Sequence, residues 1–209
     1  ASGIPVITLN SDVPGSKRIC FIGMDNYRAG QTAAGLMCQM LSDNSKILPL
    51  AGHLNNTAHN NRLNGFLDTL NQQNTHNLRI MPFQPCFDRN DYAHEITQHA
   101  LRENPDLVGI YVASNGQEGV CQAVEEEDRK GKVKIIAFDL NEPNMRLLQS
   151  DSLSIVLDQD AFQQGYQPPF LLYEYLMHHK MPDNALLYTD IAIRTKYNSD
   201  LVVFTDHSK

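Results

Sequence analysis

The sequence predicts an α/β protein built on parallel sheet, and three observations lead there. Short apolar runs rich in β-branched residues recur along the chain, helical periodicities lie between them, and planar polar side chains follow several of the runs directly. Strands alternating with helices imply right-handed crossovers and a parallel sheet. At 209 residues and 42% hydrophobic, the chain can bury a substantial core, and we read it as two small lobes.

The strand candidates, in order, are Ile4 to Leu9, Ile19 to Gly23, Lys46 to Leu50, Leu78 to Phe83, Leu107 to Val112, Val133 to Phe138 and Ile155 to Leu157. Between them, Ala33, Leu36, Met37, Met40 and Leu41 fall at helical spacing after Asp25-Asn26, as do Leu63, Phe66, Leu67 and Leu70 after Thr57. Ala93, Ile96, Ala100 and Leu101 repeat the pattern after Asp91, and Val120, Ala123 and Val124 after Ser114. The segment from Ala161 to His178 also reads as helix, but Pro168-Pro169 falls inside it. Proline removes a donor and crowds the preceding turn, so a kink or a restart at Pro168 is expected. No repeat, low-complexity segment or flexible linker divides the chain, so lobes here would be woven by crossings rather than strung in series.

A formal charge of -7, with the acidic run Glu125-Glu126-Glu127-Asp128, argues against gripping phosphate backbones, which needs clustered Lys and Arg. Cys20, Cys38, Cys86 and Cys121 are scattered without paired spacing, which reads as reduced thiols and a cytoplasmic location. No apolar run approaches the roughly 18 residues of a membrane span, so no membrane partner is expected. The opening ASGIPVITLN is neither a signal nor a transit peptide, lacks an initiator Met and enters a β-rich run at once, so we expect a fragment.

Catalytic patterns find no support. GxSxG, HExxH and GxGxxG are absent, and Gly15-Ser16-Lys17 is only the tail of a phosphate loop. Glu95 with His99, and His178 with His179, do not supply three convergent metal ligands. The cysteines sit in or beside apolar runs, as small core residues do. Neither cofactor nor metal is expected, and the protein is not expected to be an enzyme.

The positive signal is a set of polar residues after buried strands. Asn115, Asp139 and Gln159 follow the runs ending at Val112, Phe138 and Leu157, and in open α/β sheets the ligand crevice lies beyond the carboxyl ends of the strands. Asp139 can accept two hydrogen bonds from vicinal hydroxyls, and Asn115 can donate and accept at once. The plainer alternatives are an N-cap near Glu142 for Asp139, a helix cap for Asn115 and a hinge hydrogen bond for Gln159.

In ASGIPVITLNSD, FIGMDNYRAGQTAAGLM, HNNRLNGFLDTL, CFDRNDY, YVASNGQEGV, IIAFDLNEPN and LDQDAFQQGY, the chain resembles the type I periplasmic-binding-protein superfamily over nearly its whole length. Within it, the chain looks most like the sugar-binding half of transcription regulators of the lactose-repressor/galactose-repressor (LacI/GalR) type. The resemblance implies two Rossmann-like parallel-sheet lobes joined by three crossings, with the first lobe incomplete. Residues 1–25 and 157–186 would form the remnant of that lobe, and 26–156 with 187–209 the other. A lobe lacking its first strands would expose an unpaired edge and apolar helix faces, to be covered by another copy, a swapped segment or disorder.

The resemblance assigns Asp139, Asn115 and Gln159 to the ligand, Phe87 to stacking on a sugar face, and Asn10 to a position where relatives carry Asp. Core packing is the alternative for Phe87. Asp25 and Asn26 match a crossing and read as hinge and helix cap. The family's sugar-contacting Arg would fall at Asn60, with Arg62 a structural Arg, so His59 or Asn60 is expected to touch the ligand and an anionic ligand is disfavoured unless Arg62 or Arg89 compensates. The implied function is an effector-binding domain in a homodimer that reaches operator DNA through an N-terminal domain outside this chain and closes on a small sugar or polyol. The alternative is a secreted sugar-binding protein that serves an ABC transporter.

Overall fold

The computed structural model describes residues 3–53, 55–74 and 76–199. Two sheets carry the fold. Strands β1 (Thr8–Leu9), β2 (Phe21–Met24) and β9 (Leu186–Thr189) form a parallel three-stranded sheet in the order β1-β2-β9. The second sheet has seven strands: β3 (Lys46–Ala51), β4 (Arg79–Ile80), β5 (Gln84–Pro85), β6 (Leu107–Val112), β7 (Lys134–Phe138), β8 (Ile155–Asp158) and β10 (Ala192–Arg194). Its order is β10-β8-β7-β6-β3-β4, with β5 also paired to β3, and only β10 runs antiparallel to its neighbour.

The large sheet is apolar on both faces because helices cover both. Helices α1 (Asn26–Met40) and α2 (Thr57–Gln73) close one face, where Ile47, Tyr111, Ile136, Phe138 and Leu157 meet Met37, Leu63 and Phe66. Helices α3 (Asn90–Glu103), α4 (Gln117–Glu126) and α5 (Glu142–Gln149) close the other over Leu48, Ile110, Val112, Ile135 and Val156. Alternate residues of one strand thus enter different cores, which is why β3, β6 and β7 read as continuous apolar runs. The α/β parallel-sheet expectation holds.

Helices α1 and α2 cross at two glycines. A Cβ on Gly30 would meet the Arg62 carbonyl oxygen at 2.1 Å, and one on Gly65 would meet that of Tyr27 at 2.0 Å. The backbones touch where side chains are missing, and this contact sets where the first turns of α2 sit.

Local differences from the sequence reading have identifiable causes. Of Ile4 to Leu9 only Thr8–Leu9 pairs as strand, and Pro5 has no N–H to offer a ladder. Of Leu78 to Phe83 only Arg79–Ile80 pairs as strand, and a second two-residue strand, Gln84–Pro85, follows beyond Pro82. Helix α6 (Ala161–His178) runs through Pro168 and Pro169 without restarting; Pro169 faces solvent, where water can meet the carbonyl that loses its donor. Strands β9 and β10 were not anticipated. They are short, half exposed and without a buried run to announce them.

Cys20, Cys86 and Cys121 are buried and Cys38 half-buried, all as free thiols. Burial pushes each thiol up, that of Cys121 to about 12, so they are inert packing residues at neutral pH.

Candidate ligand-binding site

The carboxyl ends of β3, β5, β6, β7 and β8 and the first turns of α2 come together at one edge of the large sheet. At the centre is Arg62, with 3% of its side chain exposed. Its Nε donates to Asn26 Oδ1 at 2.7 Å and an Nη donates to Gln159 Oε1 at 3.4 Å, while the guanidinium carbon lies 4.0 Å above the centre of the Phe138 ring. Burial works against the arginine's charge, and the Asp139 carboxylate, 3.8 Å away, works for it. Tyr111 fixes the helix from below by donating its hydroxyl to the Arg62 carbonyl at 3.0 Å.

Asp139 follows β7 in a left-handed backbone conformation, φ 70°. Its Oδ1 accepts from Gln159 Nε2 at 2.6 Å, and no hydrogen bond among the described residues reaches its Oδ2. The helix that follows does not use this carboxylate: the N-cap of α5 is Asn141, whose side chain accepts from Asn144 N. Gln159, 8% exposed, is bonded to Asp139 and Arg62 at once, and Gln164 Nε2 donates to its carbonyl at 2.7 Å. Asn115 exposes its side chain, which caps nothing; the N-cap of α4 is Gly116, which brings no side-chain cap bond.

Phe87 is 41% exposed and packs edge-on to Tyr92, with its ring centre 5.2 Å from that of His53. Its neighbour Asp88 accepts the Asn115 main-chain N–H at 3.1 Å. Gly52 makes room for this carboxylate, because a Cβ there would stand 2.6 Å from Asp88 Oδ1. His59, in the first turn of α2, turns its Nδ1 toward Asp88 Oδ1 across 3.9 Å. Burial holds the imidazole below its ordinary value, Arg62 and His53 adding to the effect and Asp88 and Asp139 opposing it.

Asp139, Gln159, His59, Phe87 and Asn115 therefore share one neighbourhood. Asn60 is half-buried on α2, and among the described residues no hydrogen bond involves its side chain. Asn10 ends β1 in the other sheet, exposed at φ 63°, with its main-chain N–H donated to Ile22. Among the described residues no side-chain hydrogen bond joins it to the cluster. A cleft of about 380 Å³ opens between that sheet and the helices, lined by Asp12, Arg18 and Tyr188 on one side and Asn26, Ala58 and Asn61 on the other. Asn26 joins cleft and cluster. Asp25 caps α1 through Arg28 N, as expected of it.

Sequence reasoning placed Arg62 outside the site and passed over Asp88 and His53. The signal for Arg62 was available: three residues after His59 on one helix, it shares that residue's face. Nothing in the spacing distinguished Asp88 from an ordinary turn residue.

Comparison with known proteins gives this arrangement a lineage. The chain is 27% identical to the ribose import binding protein RbsB of Haemophilus influenzae over 158 residues, covering 75% of this chain and 52% of that one. It is 25% identical to RbsB of Bacillus subtilis over 161 residues, covering 76% and 50%. It thus spans about half the length of the curated relatives it matches. The arabinose binding protein AraP of Geobacillus stearothermophilus superposes with a TM-score of 0.85 at 28% identity, covering 95% of this chain and 70% of that one. A sugar-binding protein of a sugar ABC transporter from Bacillus halodurans gives 0.86 at 27%, covering 95% and 72%.

Two expectations change. Cytoplasmic location is overturned, since these relatives are import binding proteins and sugar-binding proteins of transporters. The error came from the thiols: a cysteine buried among apolar side chains reports packing, not redox compartment. The regulator reading, with its homodimer and operator DNA, finds no counterpart among these relatives, whose names fit the transporter alternative instead. Residues 1–180 match the model described as a periplasmic binding protein domain, and the chain belongs to that family.

Proposed function

We propose that the protein binds a small neutral sugar of pentose size and serves as the binding component of an ABC importer, outside the cytoplasm. The observation that carries this reading is the Arg62–Gln159–Asp139 cluster beside the open ring of Phe87. Asp139 keeps an oxygen free for sugar hydroxyls, Asn115 offers an amide that donates and accepts, and Phe87 offers a face for ring C–H groups. His59 and Asn60 complete the wall on α2, and Asn10 supplies a contact from the opposite sheet when the gap closes. With His59 neutral, Asp88 and Asp139 outnumber Arg62 in charge, which disfavours anionic ligands. Ribose and arabinose, named for the relatives, set the size class.

Titration calorimetry and thermal shift with D-ribose, D-arabinose and D-galactose test the proposal. A bound pentose at a hundred times its Kd stabilises the fold by about 2.7 kcal/mol. Asp139→Ala should abolish that stabilisation; an unchanged shift in the variant would refute the site assignment.

A further inference from the structure

The His59–Asp88 pair is built but not bonded. His59 has 13% of its side chain exposed, and its Nδ1 is buried with no hydrogen-bond partner. Burial of such an atom without a partner costs on the order of 1–3 kcal/mol, which a hydrogen bond to a ligand would offset. The facing atom, Asp88 Oδ1, stands 3.9 Å away, beyond hydrogen-bond reach. Asp88 cannot easily close the distance. The Asn115 main-chain N–H holds it on one side, the missing Cβ of Gly52 leaves it a fitted recess on another, and Phe87 and Asp88 are both in left-handed conformations, φ 55° and 60°.

The groups that face the imidazole are Asp88 and Asp139, from the turns after β5 and β7, His53 after β3, and Arg62 on α2 itself. Asp88 is the one aligned with Nδ1, and a carboxylate opposite a ring nitrogen favours the tautomer carrying the proton on that nitrogen. The gap then has a donor on one wall and an acceptor on the other. An oxygen about 2.8 Å from both atoms, seated beside the line that joins them, spans it once the imidazole turns to uncover its buried Nδ1.

We infer that His59 and Asp88 select a free hydroxyl at one defined position of the ligand: His59 Nδ1–H donates to the hydroxyl oxygen, and the hydroxyl donates its proton to Asp88 Oδ1. This rests on the sugar-binding reading above and adds the specificity element to it. A methyl ether at that position satisfies His59 alone, and a deoxy carbon satisfies neither wall. A carboxylate or phosphate meets Asp88 with like charge.

The test measures affinity for D-ribose and D-arabinose and for their monodeoxy and mono-O-methyl analogues, with the wild type, His59→Leu and His59→Asn. Asn places an amide N–H where Nδ1 stood, so it keeps the donor. For the wild type we expect a loss of at least tenfold at one ring position. His59→Leu should weaken the parent sugar and shrink the penalty at that position alone, and His59→Asn should restore both. Penalties identical in wild type and His59→Leu at every position would overturn the hydroxyl bridge while leaving sugar binding intact. A wild type that binds neither sugar overturns the sugar-binding reading, and the bridge with it.

Discussion

The two sheets differ in how much of their surface the chain covers. In the seven-stranded sheet, Leu48, Ile110, Ile136 and Val156 are fully buried, with helices on both faces. In the three-stranded sheet, β9 alternates exposed and half-buried residues, and α6 turns Phe162, Tyr166, Phe170, Tyr173 and Met177 outward, each about half exposed or more. One region holds the candidate site residues on a closed core; the other leaves large apolar side chains about half exposed or more. A helix dominated by apolar residues all round is ordinarily a buried helix. Rigidity of the candidate site therefore comes from the large sheet, and Asn10 and Asp12 hang on the less supported side.

Substitutions can break this contrast. The largest effect is expected for Phe66→Ala, which removes a fully buried ring stacked on Tyr111 at 4.0 Å and should cost about 3–5 kcal/mol in chemical denaturation. Loss of under about 1 kcal/mol would mean that the large sheet is far looser than its packing indicates. Phe170→Ser, on the 57% exposed position of α6, should stay within about 0.5 kcal/mol by the same measurement. A loss comparable to that of Phe66→Ala would show that this face is covered in solution.

A smaller effect separates the regions by pH. His59 is held below its ordinary 6.5 in the folded protein, so the unfolded chain takes up its proton first. The stability concerned is complete above the unfolded value and is lost as pH falls through the folded one. Asp12, lowered from 3.8 chiefly by the Arg18 hydrogen bond, loses its contribution only in stronger acid. Between pH 7.5 and 5.5 the melting temperature of His59→Asn should therefore fall less than that of wild type, whereas Asp12→Asn should run parallel to it. Equal slopes for wild type and His59→Asn would contradict the burial of this imidazole.

Much of the large sheet was legible in the sequence because strands buried on both faces carry unbroken apolar runs. Leu107–Val112 emerges with the expected bounds, and Lys134–Phe138 nearly so. The short strands 186–189 and 192–194 were not legible, since pairing with β2 and β8 rather than local composition makes them strands. For the site, the rule that ligands lie beyond strand ends singled out Asp139, Asn115 and Gln159 without reference to packing. Arg62 and Asp88 escaped because their positions depend on contacts far along the chain: the Gly30–Gly65 helix crossing and the recess under Gly52.

The outermost strands of the large sheet are its shortest. On one side β3 meets only the two-residue strands at 79–80 and 84–85, interrupted by Pro82 and ended by Pro85; on the other, β10 contributes three residues in the opposite direction. A stray chain seeking a template finds too few free amides in a row to propagate along either border. Among the described residues, the rim of this sheet thus offers little backbone for edge-to-edge pairing.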